Sequence, residues 1–220
     1  LDDANWSGTN KSDKCMFILT EGDAAKAGLM SGLTAEHRDY IGIFALKGKV
    51  LNVRDEALSR IMANTEIANI IEALGLSTSK KYETVEDVTR DLRYGCIAAA
   101  TDQDLDGSHI KGLLINLFDS CWGSLLKILG FFRYINTPIL KAHKGNEELE
   151  FYNAGEYTKW QTHPDTRFTQ WTIKYYKGLG TSTPKEWKKY FKNLKTISFE
   201  HTGEKCSELI DMAFRKSRTS

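Results

Sequence analysis

Carboxylates alternate in the run Ala100-Thr101-Asp102-Gln103-Asp104-Leu105-Asp106-Gly107-Ser108-His109. Like charges at this spacing repel, so the pattern needs a neutralising partner, and hard oxygen donors suit Mg²⁺ or Ca²⁺. A second acidic turn, Thr20-Glu21-Gly22-Asp23, closes an apolar run far upstream. In an open α/β sheet, loops at the carboxyl ends of the strands share one edge, so Glu21 can meet Asp102, Asp104 and Asp106 there. Four acids converging in this way suit one or two Mg²⁺ ions, which stabilise attacking and leaving oxygens in phosphoryl transfer.

Other chemistries compete for these residues. An EF-hand loop also begins Asp-x-Asp-x-Asp-Gly, but it needs a bidentate Glu at its twelfth position. Counted from Asp102 that position is Leu113, inside an apolar stripe, which excludes the EF-hand. Haloacid-dehalogenase-type phosphatases place Asp-x-Asp after an apolar strand, yet here Thr101 intervenes and no partner motif is evident. A solvated acidic turn is the plainest alternative, and the Glu21 turn weighs against it. Gly42 to Lys49 is not a P-loop, because five residues separate its glycines and Val50 stands where Ser or Thr is needed.

The elements that must hold the acids follow from hydrophobic patterning. Cys15–Leu19, Ile41–Leu46 and Cys96–Ala100 are short continuous apolar runs, the pattern of buried strands. Helical patterns cover Ala24–Met30, Asp55–Leu74 and Val85–Leu92. After the acidic run, Ile110, Leu113, Leu114, Leu117 and Phe118 recur on one face of a helix. Strands alternating with helices predict a mostly parallel α/β sheet flanked by helices. Past Lys144 the texture changes: Glu148–Tyr152 and Trp171–Tyr176 read as partly exposed strands, with helices at Gly155–Trp160 and Thr183–Leu194. The last of these opens on a capping box from Thr183 to Glu186 with Pro184 in its first turn.

The 220 residues suffice for one sizeable core, and 41% hydrophobic with 27% charged residues describes an ordinary globular protein. No apolar run approaches the ~18 residues needed to span a membrane. Four cysteines without CxxC spacing point to reduced intracellular thiols. The net charge of +1 hides a basic stripe of seven lysines, from Lys174 to Lys195, against the single acid Glu186. That stripe suits nucleic acid or a solvated helix face. The start at Leu1, without an initiator Met, reads as a piece of something longer.

Glu-Gly-Asp after one strand and Asp-x-Asp-x-Asp-Gly after another resembles the TOPRIM module. Leu1–Asn5, Leu46-Lys47-Gly48-Lys49-Val50-Leu51-Asn52-Val53-Arg54, Leu92–Gly95, Thr101–Ile115 and Lys174-Tyr175-Tyr176-Lys177-Gly178-Leu179-Gly180-Thr181-Ser182 extend the likeness to nearly the whole chain. Together they resemble type IIA DNA topoisomerases, closest to the eukaryotic-type branch that includes enzymes of large DNA viruses. The resemblance implies a TOPRIM fold with a Rossmann-like sheet in residues 15–145. A polar linker would precede it in 1–14, and an α+β extension in 146–220 would lead towards a winged-helix domain outside the chain. It further implies that Glu21, Asp102 and Asp104 hold catalytic Mg²⁺, two ions in the DNA-bound state, with Asp106 in support. Glu21 would also exchange a proton with the 3′ oxygen during resealing. Lys47, Lys49, Asn52, Lys177, Gly178 and Gly180 would face double-stranded DNA.

The implied parent enzyme hydrolyses ATP and works as a homodimer in the nucleus or, if viral, in host cytoplasm or a viral factory. The family's tyrosine nucleophile and ATPase lie outside this region, since Tyr94 and Tyr134 belong to structural motifs. The piece alone is therefore expected not to pass strands. A TOPRIM nuclease or primase, or a metal-dependent DNA-binding module without chemistry, are the alternatives. Departures are few: Ala45 stands where the eukaryotic branch usually has Pro, Lys47 where it has Arg, and Ala24 where Ser is common.

Overall fold

The computed structural model describes residues 1–176 and 178–218. Strand β1 (Met16–Glu21) runs into α1 (Gly22–Gly32), and α2 (Ala35–Tyr40) leads to β2 (Ile41–Leu46). Helices α3 (Leu58–Ala63), α4 (Thr65–Leu74) and α5 (Val85–Asp91) precede β3 (Cys96–Ala100) and the long α6 (Leu105–Lys127). Then come β4 (Phe132–Ile135), β5 (Leu140–Lys144), β6 (Glu147–Phe151), α7 (Ala154–Thr162) and β7 (Thr172–Tyr175). The chain finishes through α8 (Pro184–Lys192), β8 (Thr196–Ser198) and α9 (Glu204–Phe214).

A five-stranded sheet takes the order β2-β1-β3-β4-β8, parallel except for the last pair. Phe17, Ile18, Leu19 and Thr20 are all fully buried, as expected of a central parallel strand covered on both faces. Alternation then sends Phe17, Leu19, Ile97 and Ala99 to one core with the apolar stripe of α6, including Leu114, Leu117 and Phe118. Ile18, Ala98 and Ala100 go to the opposite core, covered by Leu29 of α1 and by Trp187, Tyr190 and Phe191 of α8. The α6 stripe predicted from Ile110 to Phe118 is buried throughout.

A second, antiparallel sheet has the order β6-β5-β7. Leu140, Ala142 and Phe151 form its small core against Tyr157, Trp160 and Trp171. Because β5 belongs to this sheet, the change of architecture falls between Ile135 and Leu140, ahead of the boundary after residue 145 read from texture. The extension is also not separate from the core: β8 pairs with β4 and α8 packs on α1.

Three local readings change. The pattern over Asp55–Leu74 is two helices, because Asn64 adopts extended backbone and its side chain accepts from Ile67 N–H to cap α4. Residues 1–14 are not a free linker. Asp2 and Ile43 exchange backbone hydrogen bonds of 2.9 and 2.8 Å, Ala4 is buried, and Asp3 accepts from the Tyr94 hydroxyl and the Arg93 guanidinium. The polar composition hid this because the anchors are main-chain hydrogen bonds and the Asp3 carboxylate. Short β4, β5 and β8 and helices α2 and α9 were not read from the sequence at all, being too brief or too polar for a periodic signal. Among the described residues, no helix is long and apolar enough to cross a membrane.

Candidate metal and nucleic-acid site

Register delivers the acids to one edge. Thr20 is level with Ala100 across the β1–β3 pair, so Glu21, ending β1, stands beside the turn that begins at Thr101. Neighbouring strands lie ~4.8 Å apart, which puts Asp102 within reach of Glu21. Glu21 is half-buried, and its Oε2 is buried without a hydrogen-bond partner. Burial, and then the charges of Asp102, Asp104 and Asp106, push its carboxyl above the usual range against the pull of the Asp102 backbone amide. That combination is unfavourable for the protein alone and favourable for a cation.

Each aspartate has a distinct local job. Asp104 caps α6 by accepting from Gly107 N–H at 2.8 Å. Asp106, exposed in the first turn, pairs with Lys49 Nζ at 2.7 Å, and the Lys49 hydrogen bond and charge lower its pKa. Asp102 Oδ1 accepts the Leu179 backbone N–H at 2.7 Å. A Cβ on Gly178 would lie 2.6 Å from Asp102 Cγ, and one on Gly107 would lie 2.9 Å from the Asp102 carbonyl carbon. Both glycines are therefore required by close approach to Asp102. Thr101, which looked like an intrusion into the motif, is buried, and its hydroxyl donates to Gly107 O at 3.1 Å, tying the strand end to the helix start.

With the side chains so engaged, no three His, Cys, Asp or Glu groups among the described residues close into a metal cage. The donors nonetheless fit a hard divalent cation: all are carboxylate oxygens, they share one sheet edge, and one buried oxygen is unpartnered. A cation held there would have to compete with Leu179, Gly107 and Lys49 for Asp102, Asp104 and Asp106.

The remaining candidates divide. Lys47 and Lys49 are exposed on the loop after β2, and Lys49 reaches the acidic helix start. Gly180 is exposed with open space around it, and Lys177 lies outside the described residues. Asn52 has its amide turned inward rather than towards the loop surface. It donates to Phe214 O at 2.8 Å, and its Oδ1 accepts from Arg54 N–H and Asn116 Nδ2, in a network that continues to Asp119. The basic stripe is also partly neutralised within the chain, since exposed Lys189 pairs with Glu148 and Glu150, and Lys174 with Glu186. Lys185, Lys188 and Lys192 are exposed. Cys15 is buried, which pushes its thiol up to about 11 and makes it inert.

Sequence reasoning missed two groups at the site. Leu179 acts through its backbone N–H, so its side chain carries no signal. Lys111 is half-buried two residues after His109, with its Nζ 5.5 Å from the Tyr134 ring centre; burial lowers its pKa while Asp104 raises it. It reads as part of the helix's polar face.

The fold and this acidic edge define a class. The Toprim domain model matches residues 17–137, and the model of the C-terminal associated domain of TOPRIM matches 135–220. The chain belongs to the Toprim family, as the TOPRIM region of the type IIA topoisomerase kind. It is 48% identical over 99% of its length to DNA topoisomerase 2 of Plasmodium falciparum, covering 15% of that protein. It is 49% identical over 99% of its length to human DNA topoisomerase 2-beta, covering 13% of that protein. The crystal structure of the Plasmodium falciparum topoisomerase II DNA-binding, cleavage and re-ligation domain superposes with a TM-score of 0.90 at 48% identity. That match covers 99% of this chain and 29% of the other. The chain thus spans about one seventh of the length of the topoisomerases it resembles. Toprim domains of topoisomerases are in general metal-binding.

Proposed function

We propose that this chain is the metal-holding part of an ATP-dependent type II DNA topoisomerase that cleaves one DNA duplex, passes another through it and reseals the break. The observation that carries this reading is the unpartnered, buried Glu21 oxygen facing three aspartates at the carboxyl edge of a parallel sheet. Glu21, Asp102 and Asp104 would hold Mg²⁺, two ions when DNA is bound, with Asp106 in support. Bound Mg²⁺ supplies charge stabilisation at the scissile phosphate.

The chain's own groups do the rest. Glu21 exchanges a proton with the 3′ oxygen as the break reseals, a general acid/base role. Lys47 and Lys49 contact phosphates through flexible ammonium groups, Lys49 from beside Asp106 at the start of the acidic helix. The exposed backbone at Gly180, with open space around it, lets a phosphate approach closely, and Gly178 lies beside it in the same loop. The tyrosine nucleophile and the ATPase belong to other parts of the enzyme, which acts as a homodimer on double-stranded DNA in the nucleus or, if viral, in a cytoplasmic factory. By itself this region passes no strands.

Asp104→Ala in the intact enzyme tests the reading. Mg²⁺-dependent DNA cleavage should fall at least a hundredfold, by the order of ~10² for a charge-stabilising group. Undiminished cleavage would leave the site as a DNA-binding module without chemistry, and the proposal would fail.

A further inference from the structure

Lys141 of β5 is fully buried, which is rare for a lysine. Its Nζ lies 3.3 Å from Glu150, 3.5 Å from Glu186 and 3.8 Å from Glu148, and 5.4 and 4.9 Å from the ring centres of Tyr176 and Tyr190. A lysine sequestered this way in the second sheet has no part in the acidic edge, and nothing in the motifs singles it out.

Its partner Glu186 connects it to that edge. Glu186 accepts the Tyr176 hydroxyl and, at 2.7 Å, the Thr183 backbone N–H. Tyr176 and Thr183 are the two ends of the loop that carries Gly178 and Leu179. One carboxylate therefore closes the loop at its base, and Lys141 holds that carboxylate from beneath. At the loop tip, Leu179 N–H donates to Asp102 Oδ1, and Gly178 leaves no slack against the same carboxyl group.

We infer that Lys141 is a positioning residue for Asp102: through Glu186 and Tyr176 it sets the loop whose Leu179 amide fixes the orientation of that carboxylate. The inference rests on the reading of Asp102 as a metal carboxylate. The buried charge suits this role because it leaves its three carboxylates few alternative arrangements. Groups that orient a metal ligand change affinity by about ten- to a hundredfold when removed.

The first readout needs no metal and no activity. In the metal-free chain, Lys141→Met should speed hydrogen exchange at the Leu179 amide about tenfold, the equivalent of one charge-assisted hydrogen bond, while Ala142 and Leu149 of the β5–β6 ladder stay protected. Tyr176→Phe removes a single hydroxyl and should act at Leu179 in the same direction, which keeps the test open should Lys141→Met melt the second sheet. In the intact enzyme, Tyr176→Phe and Lys141→Met should raise the Mg²⁺ concentration for half-maximal cleavage about tenfold, with the rate recovering at saturating Mg²⁺. Unchanged Leu179 exchange in Tyr176→Phe overturns the inference, as does an unchanged Mg²⁺ requirement in a folded Lys141→Met enzyme. Asp102→Asn separates the two levels: if it cleaves with wild-type Mg²⁺ dependence, the metal reading itself is wrong, whatever the amide reports.

Discussion

Gly178→Ala and Gly180→Ala differ by two positions in one loop and should differ sharply in outcome. Gly178 sits at φ −176° and ψ 173°, extended backbone that alanine adopts freely, so no conformational strain enters. The whole effect is steric: the new methyl would lie 2.6 Å from Asp102 Cγ and 2.7 Å from Oδ1, about 1 Å inside van der Waals contact. Either the loop lifts or Asp102 rotates, and both break the 2.7 Å bond from Leu179 N–H. Losing that charge-assisted bond costs about 1.5–3 kcal/mol, and overpacking of this kind costs about 1–3 kcal/mol, paid largely by the same displacement. A net loss of about 2 kcal/mol corresponds to a melting temperature about 4–8 °C lower for a chain of this size. At Gly180 an added Cβ meets nothing within 4 Å, so Gly180→Ala should leave the melting temperature where it is. Calorimetry on the three proteins reads stability, and Mg²⁺-dependent cleavage by the intact enzyme reads the site, where Gly178→Ala alone should be impaired. Equal melting temperatures for Gly178→Ala and Gly180→Ala would refute the close-approach argument.

Glu150 and Glu186 are both brought down to about 2: hydrogen bonds from Lys189 and Tyr152, and from Thr183 and Tyr176, together with the Lys141 charge, outweigh burial. A carboxylate with a lowered pKa stabilises the fold fully above its unfolded value of ~4.3 and loses that contribution as pH falls towards 2, so the chain should weaken steeply between those limits. After solvent screening each contributes about 1–2 kcal/mol, and Glu186→Gln should flatten the acid limb of a denaturation series; an unchanged limb would contradict the assignment. Lys49→Ala should leave the melting temperature unmoved while weakening DNA binding by the intact enzyme, with a salt-dependence slope lower by about 1, as filter binding across salt concentrations would show. Asn52→Ala should do the reverse, costing about 1–3 kcal/mol in urea denaturation through the lost Phe214, Asn116 and Arg54 contacts, with the salt slope unaltered.

What could be read in advance followed the strength of periodic signals. Apolar runs at Cys15–Leu19, Ile41–Leu46 and Cys96–Ala100 became β1, β2 and β3, and the stripe from Ile110 to Phe118 became the buried face of α6. The acidic edge was legible because carboxyl ends of parallel strands converge by topology, whatever the side chains do afterwards. Their present partners were not legible: Leu179 contributes a main-chain N–H, Lys49 crosses from another loop, and Asn52 looks outward by composition but serves an inward network. Lys141 was invisible for a related reason. A lone lysine between Leu140 and Ala142 reads as the exposed face of a strand, and only the convergence of β6 and α8 buries it.

The double attachment of α8 bears on how this region can be divided. Its apolar side lies on α1, where a Cβ at Gly32 would come within 2.7 Å of the Trp187 backbone, while Glu186 on the same helix is bound to Lys141 in the other sheet. Just beyond it, β8 covers the outer edge of β4. A piece cut after residue 137 would keep every carboxylate of the acidic edge. It would also bare the face formed by Ile18, Leu29, Ala98 and Ala100 and leave β4 open to pairing with another molecule. Such a truncation should aggregate before its chemistry could be assayed, so the smallest workable unit for dissecting the acidic edge extends through Ser198.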